Sequence, residues 1–295
     1  MRVAVIDLGG VGGYLAAMLS RTSHEIVGFA RGEHLGVIQS RGLEIKEDEK
    51  SWNIALNAME LNRVEGYFDI VLFCVKSYDL EESYRMIENS CDSQTTLLSF
   101  SNGVSNGDKL RELSSSRVLD GCIYILSHIE ESGVIRKKGK VFAALFGGEL
   151  NAVTSLESLF KEAELRVKTP QDIQTALWKK YIFIAAFATL TSYYEQSIGS
   201  IYEYHLEEAR GVLKEIALVA NAVGVDVNVE IEKSLETAFK VPYDSSTSMA
   251  LDFKNEKKDE LEGLSGYIVK KGEEFGVEVP LMKKMYMELL KKHRA

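Results

Sequence analysis

The N-terminal segment is a short apolar strand that runs directly into a glycine-rich turn and then into an apolar helix. The strand spans Val3–Ile6, and the turn that follows contains Gly9, Gly10, Val11 and Gly12. In a strand–turn–helix unit of this kind, glycine lets the backbone approach a phosphate, and the helix N-terminus attracts negative charge. These four turn residues are therefore candidates for holding the pyrophosphate of a dinucleotide.

One position departs from the dinucleotide-binding pattern. In this register the fingerprint G-x-G-x-x-G requires glycine at position 7, where the chain has Asp7. A carboxylate about 5 Å from a pyrophosphate oxygen would cost about 3 kcal/mol at an effective dielectric constant of about 20. The cost falls if the side chain turns away to accept backbone amides, or if Lys76 offsets its charge. Retention of dinucleotide binding and its loss both stay open.

The first half alternates β-rich apolar runs with helical patterns, which is typical of a mostly parallel, doubly wound sheet. We predict strands at Val3–Ile6, Glu25–Phe29, Asp69–Val75, Thr95–Phe100, Val118–Ile125 and Val141–Phe146. Helical patterns lie at Gly12–Arg21, Glu33–Arg41, Leu80–Asn89 and Val104–Leu113, and a hairpin joins Leu43–Ile45 to Trp52–Leu56. The stretch Val118–Phe146, broken at Glu130–Gly133 and Lys137–Gly139, is expected to be antiparallel, because its connections are too short for crossover helices.

After Val167 the pattern becomes helical almost throughout, and Pro170 restarts the chain. A length of 295 residues suits two domains. The predicted fold class is therefore α/β: an N-terminal doubly wound Rossmann-type domain over residues 1–167 and a C-terminal all-α domain over residues 168–295, which we expect to carry substrate and catalysis.

Composition excludes several classes of partner. With 35 Lys and Arg against 44 Asp and Glu, the net charge is -9, which argues against nucleic acid or an anionic membrane. The three cysteines, Cys74, Cys91 and Cys122, show no metal-ligand spacing, so no metal is expected. The longest apolar stretch, Ile182–Leu190, is too short to span a bilayer, and a strand that starts at residue 2 leaves no room for a signal peptide. We expect a cytoplasmic protein.

The end of the second predicted strand bears on cofactor choice. An acidic residue about twenty positions beyond the glycine turn favours NADH, whereas a basic one suits a 2′-phosphate. Here Arg31 follows Phe29 and Ala30, and a guanidinium can bind phosphate through two hydrogen bonds, so NADPH is predicted. Lys76 and Asn102 follow two further strands, at the edge where doubly wound sheets bind ligands.

Taken in order, these motifs resemble those of the ketopantoate reductases, or 2-dehydropantoate 2-reductases. The similarity runs over nearly the whole chain and is carried by Gly9–Tyr14, Ala30–Gly32, Val75–Ser77, Asn102–Val104, Ala176–Lys180, Thr247–Met249, Asp252, Asp259–Glu262 and Gly276–Pro280. So many spaced matches are far more specific than the glycine turn alone.

The resemblance implies reduction of a 2-oxo acid by hydride transfer from NADPH. Lys180 matches the family's catalytic general acid, and Glu260 matches the glutamate that binds a hydroxyl and orients that lysine. Ser248 and Asn102 match positions that hold the substrate and the nicotinamide ribose, and Lys76 matches the lysine near the cofactor. The apolar helices of the second half could support a homodimer, which the family often forms.

The departures from the family pattern fall mainly on the substrate side. Where the family has three asparagines that bind the hydroxyls and carboxylate of ketopantoate, this chain has Ile184, Ala188 and Ile198. A site built to hydrogen-bond a hydroxyl discriminates strongly, so we expect a 2-oxo acid with a more apolar tail, or a site rebuilt elsewhere.

Three functions follow. The first is NADPH-dependent reduction of 2-dehydropantoate to pantoate, in pantothenate biosynthesis. The second is reduction of a different, more apolar 2-oxo acid by a divergent paralogue. The third is a non-catalytic NADP(H)-binding regulatory protein, against which the retention of Lys180 and Glu260 argues.

Overall fold

A computed structural model describes residues 1–293 of the chain. Its backbone separates into two units. The first unit contains Met1–Ser101 and Ser105–Ile173, and the second contains Asn102–Val104 and the described residues from Gln174 onward. The division at Ile173 falls slightly beyond the boundary expected after Val167.

The first unit is built on one ten-stranded mixed sheet among the described residues. Its strands are β1 (Arg2–Ile6), β2 (Glu25–Phe29), β3 (Leu43–Glu47), β4 (Lys50–Ile54), β5 (Asn57–Met59), β6 (Ile70–Phe73), β7 (Thr96–Ser99), β8 (Arg117–Glu131), β9 (Val134–Gly147) and β10 (Val167–Lys168). Strands β5, β2, β1, β6, β7 and β8 pair in that order, each parallel to the next. This doubly wound order confirms the predicted fold class and places its switch point between β1 and β6.

Helices cover both faces of this sheet. They are α1 (Gly10–Leu19), α2 (Gly32–Arg41), α3 (Leu80–Ile87), α4 (Asn106–Leu113) and α5 (Leu150–Glu162). One buried cluster includes Leu15, Ile38 and Phe160, and the other includes Tyr84 and Leu110. The apolar β1, β2, β6 and β7 are buried on both sides, which is why they read as continuous apolar runs.

The antiparallel pair β8 and β9 is confirmed but is longer than predicted. The turn near Gly133 is present, and the break predicted at Lys137–Gly139 takes the form of an irregularity inside β9, where Gly139 has φ +65°. Lys137 pairs with Ser127 of β8, and Phe142 pairs with Ile125. The register of the two strands shifts between these two pairs. The charges of this run predicted an end of the strand. Lys137 is nevertheless buried, and its ammonium donates to the Gly139 carbonyl at 2.8 Å.

Two short strands were missed. Strand β5 has three residues and β10 has two, which is too short for an apolar alternation to show. The predicted hairpin forms as β3 and β4, and β3 then pairs in parallel with β9, so the hairpin becomes part of the main sheet.

The second unit is all helical in the part that the structure describes, as predicted. Its helices are α6 (Ile173–Tyr194, whose first residue belongs to the first unit), α7 (Ile198–Tyr204), α8 (Leu206–Ala222), α9 (Val229–Lys240), α10 (Ser248–Lys254), α11 (Tyr267–Phe275) and α12 (Pro280–His293). A single π-helical turn, Glu262–Gly266, leads into α11. None of the described helices is long and apolar enough to cross a membrane.

Candidate active site

The glycine turn after β1 keeps the expected backbone although it lacks the first glycine. Asp7 has φ +72°, in the left-handed region that glycine normally occupies. Aspartate and asparagine tolerate this region better than most residues. Helix α1 then begins at Gly10 with no acidic side chain in its first turn, so its N-terminus suits an anion.

Gly12 is required by the packing of α1 on β1. A Cβ atom at this position would lie 1.9 Å from the Asp7 carbonyl oxygen and 2.9 Å from the Cβ of Cys74. The helix therefore approaches the strand as closely as backbone atoms allow, which is the role of the third glycine in the fingerprint.

The Asp7 carboxyl is turned into the glycine loop. The Gly9 N–H donates to it, as expected for a side chain that caps the turn. Although Asp7 lies at the exposed rim, protein atoms surround its carboxyl, and this desolvation raises its pKa, while Arg31, His34 and the Gly9 N–H act in the opposite direction. The carboxyl therefore loses its charge at a higher pH than an ordinary aspartate does as the pH falls.

A second strand also reaches the start of α1, which the sequence did not indicate. A Cβ atom at Gly10 would lie 2.5 Å from the Ser127 carbonyl oxygen and 2.8 Å from the Cα of His128. Ser127 and His128 are thus further candidates for contact with a molecule at this helix end. The doubled glycine, Gly9–Gly10, is consistent with this close approach, but it does not show which segment approaches.

The two basic candidates of the first unit differ in exposure. Arg31 is exposed, directly beyond β2 and before α2, where a flexible guanidinium can meet a ligand. Lys76 is half-buried beyond β6, before a short 3-10 helix. The end of the next strand is held by Ser101, whose hydroxyl donates to the Val75 carbonyl at 2.6 Å.

In the second unit the structure brings Lys180 and Asn102 together. The Lys180 ammonium donates to Asn102 Oδ1 at 3.1 Å, although 78 positions separate them in sequence. Lys180 is half-buried, whereas its neighbour Lys179 is exposed. Of the two adjacent lysines, the one that the family pattern selects is the one that α6 directs toward other polar groups.

An aromatic cluster fixes the part of α6 that carries Lys180. Trp178, Tyr181 and Tyr267 form edge-on and tilted contacts, with ring centroids 5.4 to 6.2 Å apart. The Tyr181 hydroxyl donates to the Leu264 carbonyl at 2.6 Å, and burial raises the Tyr181 pKa well above its usual value. Tyr181 thus stays a neutral donor that ties α6 to the π-helical turn.

Glu260 and Ser248 occupy contrasting positions. Glu260 is only 2% exposed and directly precedes the helical segment that begins at Leu261. A carboxylate near the start of a helix is stabilised by its dipole. Ser248 is exposed at the start of α10, where the Thr247 hydroxyl caps the helix by accepting the Ala250 N–H. The charge run around Glu260 concealed that Asp259 and Glu260 are buried within it.

The three apolar replacements are not equivalent. Ile184, one turn after Lys180 on α6, is half-buried. Ala188 is 1% exposed and Ile198 is 5% exposed, so both are core residues of the second unit. Only Ile184 of the three retains substantial exposed surface.

Comparison with known proteins identifies the chain. A family model described as ketopantoate reductase PanE/ApbA matches residues 3–148, and the model of its C-terminal domain matches residues 172–293. The chain belongs to the ketopantoate reductase family. The resemblance inferred from the motifs is therefore confirmed, and the protein is an oxidoreductase of this family.

Individual relatives are distant but match along their whole length. An uncharacterized oxidoreductase of Bacillus subtilis, YkpB, is 26% identical over 98% of both chains. A 2-dehydropantoate 2-reductase of Aquifex aeolicus is also 26% identical, over 95% of this chain and 93% of its own. A crystal structure of a PanE/ApbA family ketopantoate reductase from Ralstonia eutropha has a TM-score of 0.93 and 27% identity, and the match covers 100% of this chain and 99% of that one.

The contact at Gly12 predicts a large effect of one methyl group. Gly12→Ala should lower the free energy of unfolding by about 3 kcal/mol, because a backbone carbonyl cannot move aside. Gly36→Ala is the matched control, since Gly36 lies in α2 and a Cβ added there would have no atom within 4 Å. That variant should gain about 0.5 to 1 kcal/mol from helix propensity. Urea denaturation measures both, and equal stabilities would contradict the packing argument.

Proposed function

We propose that this ketopantoate reductase family member reduces a 2-oxo acid to a 2-hydroxy acid with NADPH. The contact of Lys180 with Asn102, in a unit that also buries Glu260, carries the proposal. By family the first substrate to test is 2-dehydropantoate, with pantoate as product. A more apolar 2-oxo acid is the alternative that Ile184 favours.

Arg31 supports NADPH over NADH. Its position beyond β2, exposed and next to the N-terminus of α2, suits a 2′-phosphate, which a guanidinium can bind through two charge-assisted hydrogen bonds. The turn from Gly9 to Gly12 would hold the pyrophosphate at the N-terminus of α1, and Lys76 would lie near the cofactor.

Lys180 is the proposed proton donor. NADPH supplies the hydride that reduces the keto carbon, and the keto oxygen then needs one proton. Lys180 Nζ would give that proton and stabilise the negative charge before it does so. Asn102 Oδ1 accepts a hydrogen bond from the same ammonium and so limits its orientation. By family, the Glu260 carboxylate would bind a ribose or substrate hydroxyl and orient Lys180, and Ser248 would bind the substrate.

Removal of the proton donor tests the reductase assignment. Lys180→Ala should lower kcat for 2-oxo acid reduction by at least about 100-fold. Lys179→Ala, which removes the exposed neighbour, should stay within about twofold. NADPH absorbance measures both, with NADH run in parallel to test cofactor choice. Equal rates for Lys180→Ala and the wild type would refute the role, and a wild type that binds NADPH but reduces no 2-oxo acid would be the regulatory binding protein instead.

The charge of Asp7 predicts a pH-dependent affinity for the cofactor. Because desolvation raises the Asp7 pKa, the carboxyl loses its charge at a higher pH than an ordinary aspartate as pH falls. Asp7→Asn tolerates the same backbone conformation and carries no charge. It should bind NADPH about tenfold more tightly than the wild type at pH 8 and by a smaller factor at pH 5.

Asp7→Gly separates charge from the side chain's hydrogen bond. It also removes the charge, and it suits φ +72°, but it cannot accept the Gly9 N–H. If charge is the cause, it should match Asp7→Asn in calorimetric titrations at both pH values. A ratio of affinities that stays constant between pH 5 and pH 8 would contradict the electrostatic explanation.

Ile184 is the proposed determinant of substrate choice. Ile184→Asn places an amide one helical turn from Lys180, and should raise kcat/KM for 2-dehydropantoate about tenfold relative to 2-oxo acids with alkyl tails. Ile184→Val keeps the surface apolar and should leave this ratio unchanged. An unchanged ratio in the asparagine variant would remove Ile184 from this role. Ala188 is unsuitable for the same test, because an asparagine there would be buried.

A further inference from the structure

His34 connects the glycine turn to a distant hairpin. It lies in the first turn of α2 and is half-buried. Its Nε2 is 2.9 Å from the Leu8 carbonyl oxygen, inside the glycine turn. On the other side of the ring, the Gly133 N–H lies 3.0 Å from Nδ1, at the turn between β8 and β9.

These two contacts define the hydrogen positions on the ring. Because a backbone N–H of Gly133 donates to Nδ1, that nitrogen must carry a lone pair. The ring hydrogen is therefore on Nε2, which donates to the Leu8 carbonyl. The neutral imidazole uses both nitrogens, one as acceptor and one as donor.

Both ends of this bridge are anchored. The Leu8 side chain is fully buried, and its N–H donates to the Phe29 carbonyl at 3.0 Å. Gly133 has φ +79°, and its carbonyl accepts the Glu44 N–H from β3 at 2.9 Å. With Leu8 held at its N–H by β2 and at its carbonyl by His34, the peptide planes of the turn have little freedom to rotate.

We propose that His34 is a positioning residue for dinucleotide binding, which sets the orientation of the phosphate-binding turn through the Leu8 carbonyl. The proposal rests on the cofactor assigned above. Leu8 lies between Asp7 and Gly9, so rotation of its peptide would redirect the Gly9 N–H and displace the start of α1. A ligand that depends on this turn should therefore bind less tightly when the bridge is lost.

A merely structural role of His34 makes a different prediction. If the ring only stabilises the fold, its loss should lower the urea midpoint and leave ligand binding by the folded protein unchanged. If it positions the turn, binding of a pyrophosphate ligand should weaken, whereas binding of 2′-AMP, which lacks the pyrophosphate and depends on Arg31, should not.

Three variants separate these roles. His34→Gln keeps one acceptor and one donor at the end of a side chain of similar reach. His34→Leu keeps the bulk but loses both hydrogen bonds, and His34→Asn keeps the amide on a shorter side chain that cannot span both partners. We expect NADPH to bind about tenfold more weakly to His34→Leu and His34→Asn, and to bind His34→Gln within about threefold of the wild type. For all three, 2′-AMP should stay within about twofold.

Calorimetric titration under conditions where each variant is folded decides the outcome. The proposal is overturned if His34→Leu and His34→Asn bind NADPH as tightly as the wild type, if binding of 2′-AMP weakens in parallel, or if His34→Gln binds NADPH as weakly as His34→Leu. Should His34→Leu fail to fold, the difference in NADPH affinity between His34→Gln and His34→Asn decides alone. If the wild type binds NADH but not NADPH, the proposed cofactor is wrong, and the same variants titrated with NADH still test His34. Binding of neither dinucleotide would refute both proposals.

Discussion

The close contact between α1 and the carboxyl end of β1 is the constraint on which the first unit depends. At Gly12 the helix is so near the Asp7 carbonyl that no side chain fits between them. The hairpin of β8 and β9 then packs on the same helix, with Ser127 against Gly10 and Ile135 against Gly13. Glycine is needed on several sides of one helical turn because three strands of the sheet converge there.

This convergence explains how the turn tolerates Asp7. The left-handed backbone that a glycine would supply is imposed by the packing around it, and aspartate is among the few other residues that adopt it at modest cost. The carboxyl then accepts the Gly9 N–H, so the same side chain that introduces a charge also stabilises the turn. The substitution changes the electrostatics of the turn more than its shape.

In the second unit, the corresponding constraint is the attachment of α6 to the π-helical turn. Tyr181 bonds to the Leu264 carbonyl, and the buried Thr189 and Ser265 hydroxyls lie 2.7 Å apart, so two points on α6 are tied to the π-helical turn. Single π-helical turns are frequent at functional sites, because they shift the side chains that follow them. Here the turn follows Glu260 within two residues, and the helix it is tied to carries Lys180.

Much of this architecture could be predicted from the sequence. The glycine turn, the order of apolar strands and the change to helical spacing follow from periods of two and 3.6 residues, which are local properties. The family motifs identified Lys180 and Glu260 as candidates. The sequence could not show that Ile184 retains exposed surface while Ala188 and Ile198 are buried, since all three are simply apolar in a helical pattern.

Only the tertiary structure decided the contacts between residues far apart in the chain. The bond from Lys180 to Asn102 and the bridge from Leu8 through His34 to Gly133 each join segments with no shared periodicity. A charged run such as Lys137–Gly139 has the same appearance in sequence whether it ends a strand or lies at an irregularity within one. Local pattern thus determined the elements and the class of site, whereas long-range packing determined which side chains meet and which remain accessible to a ligand.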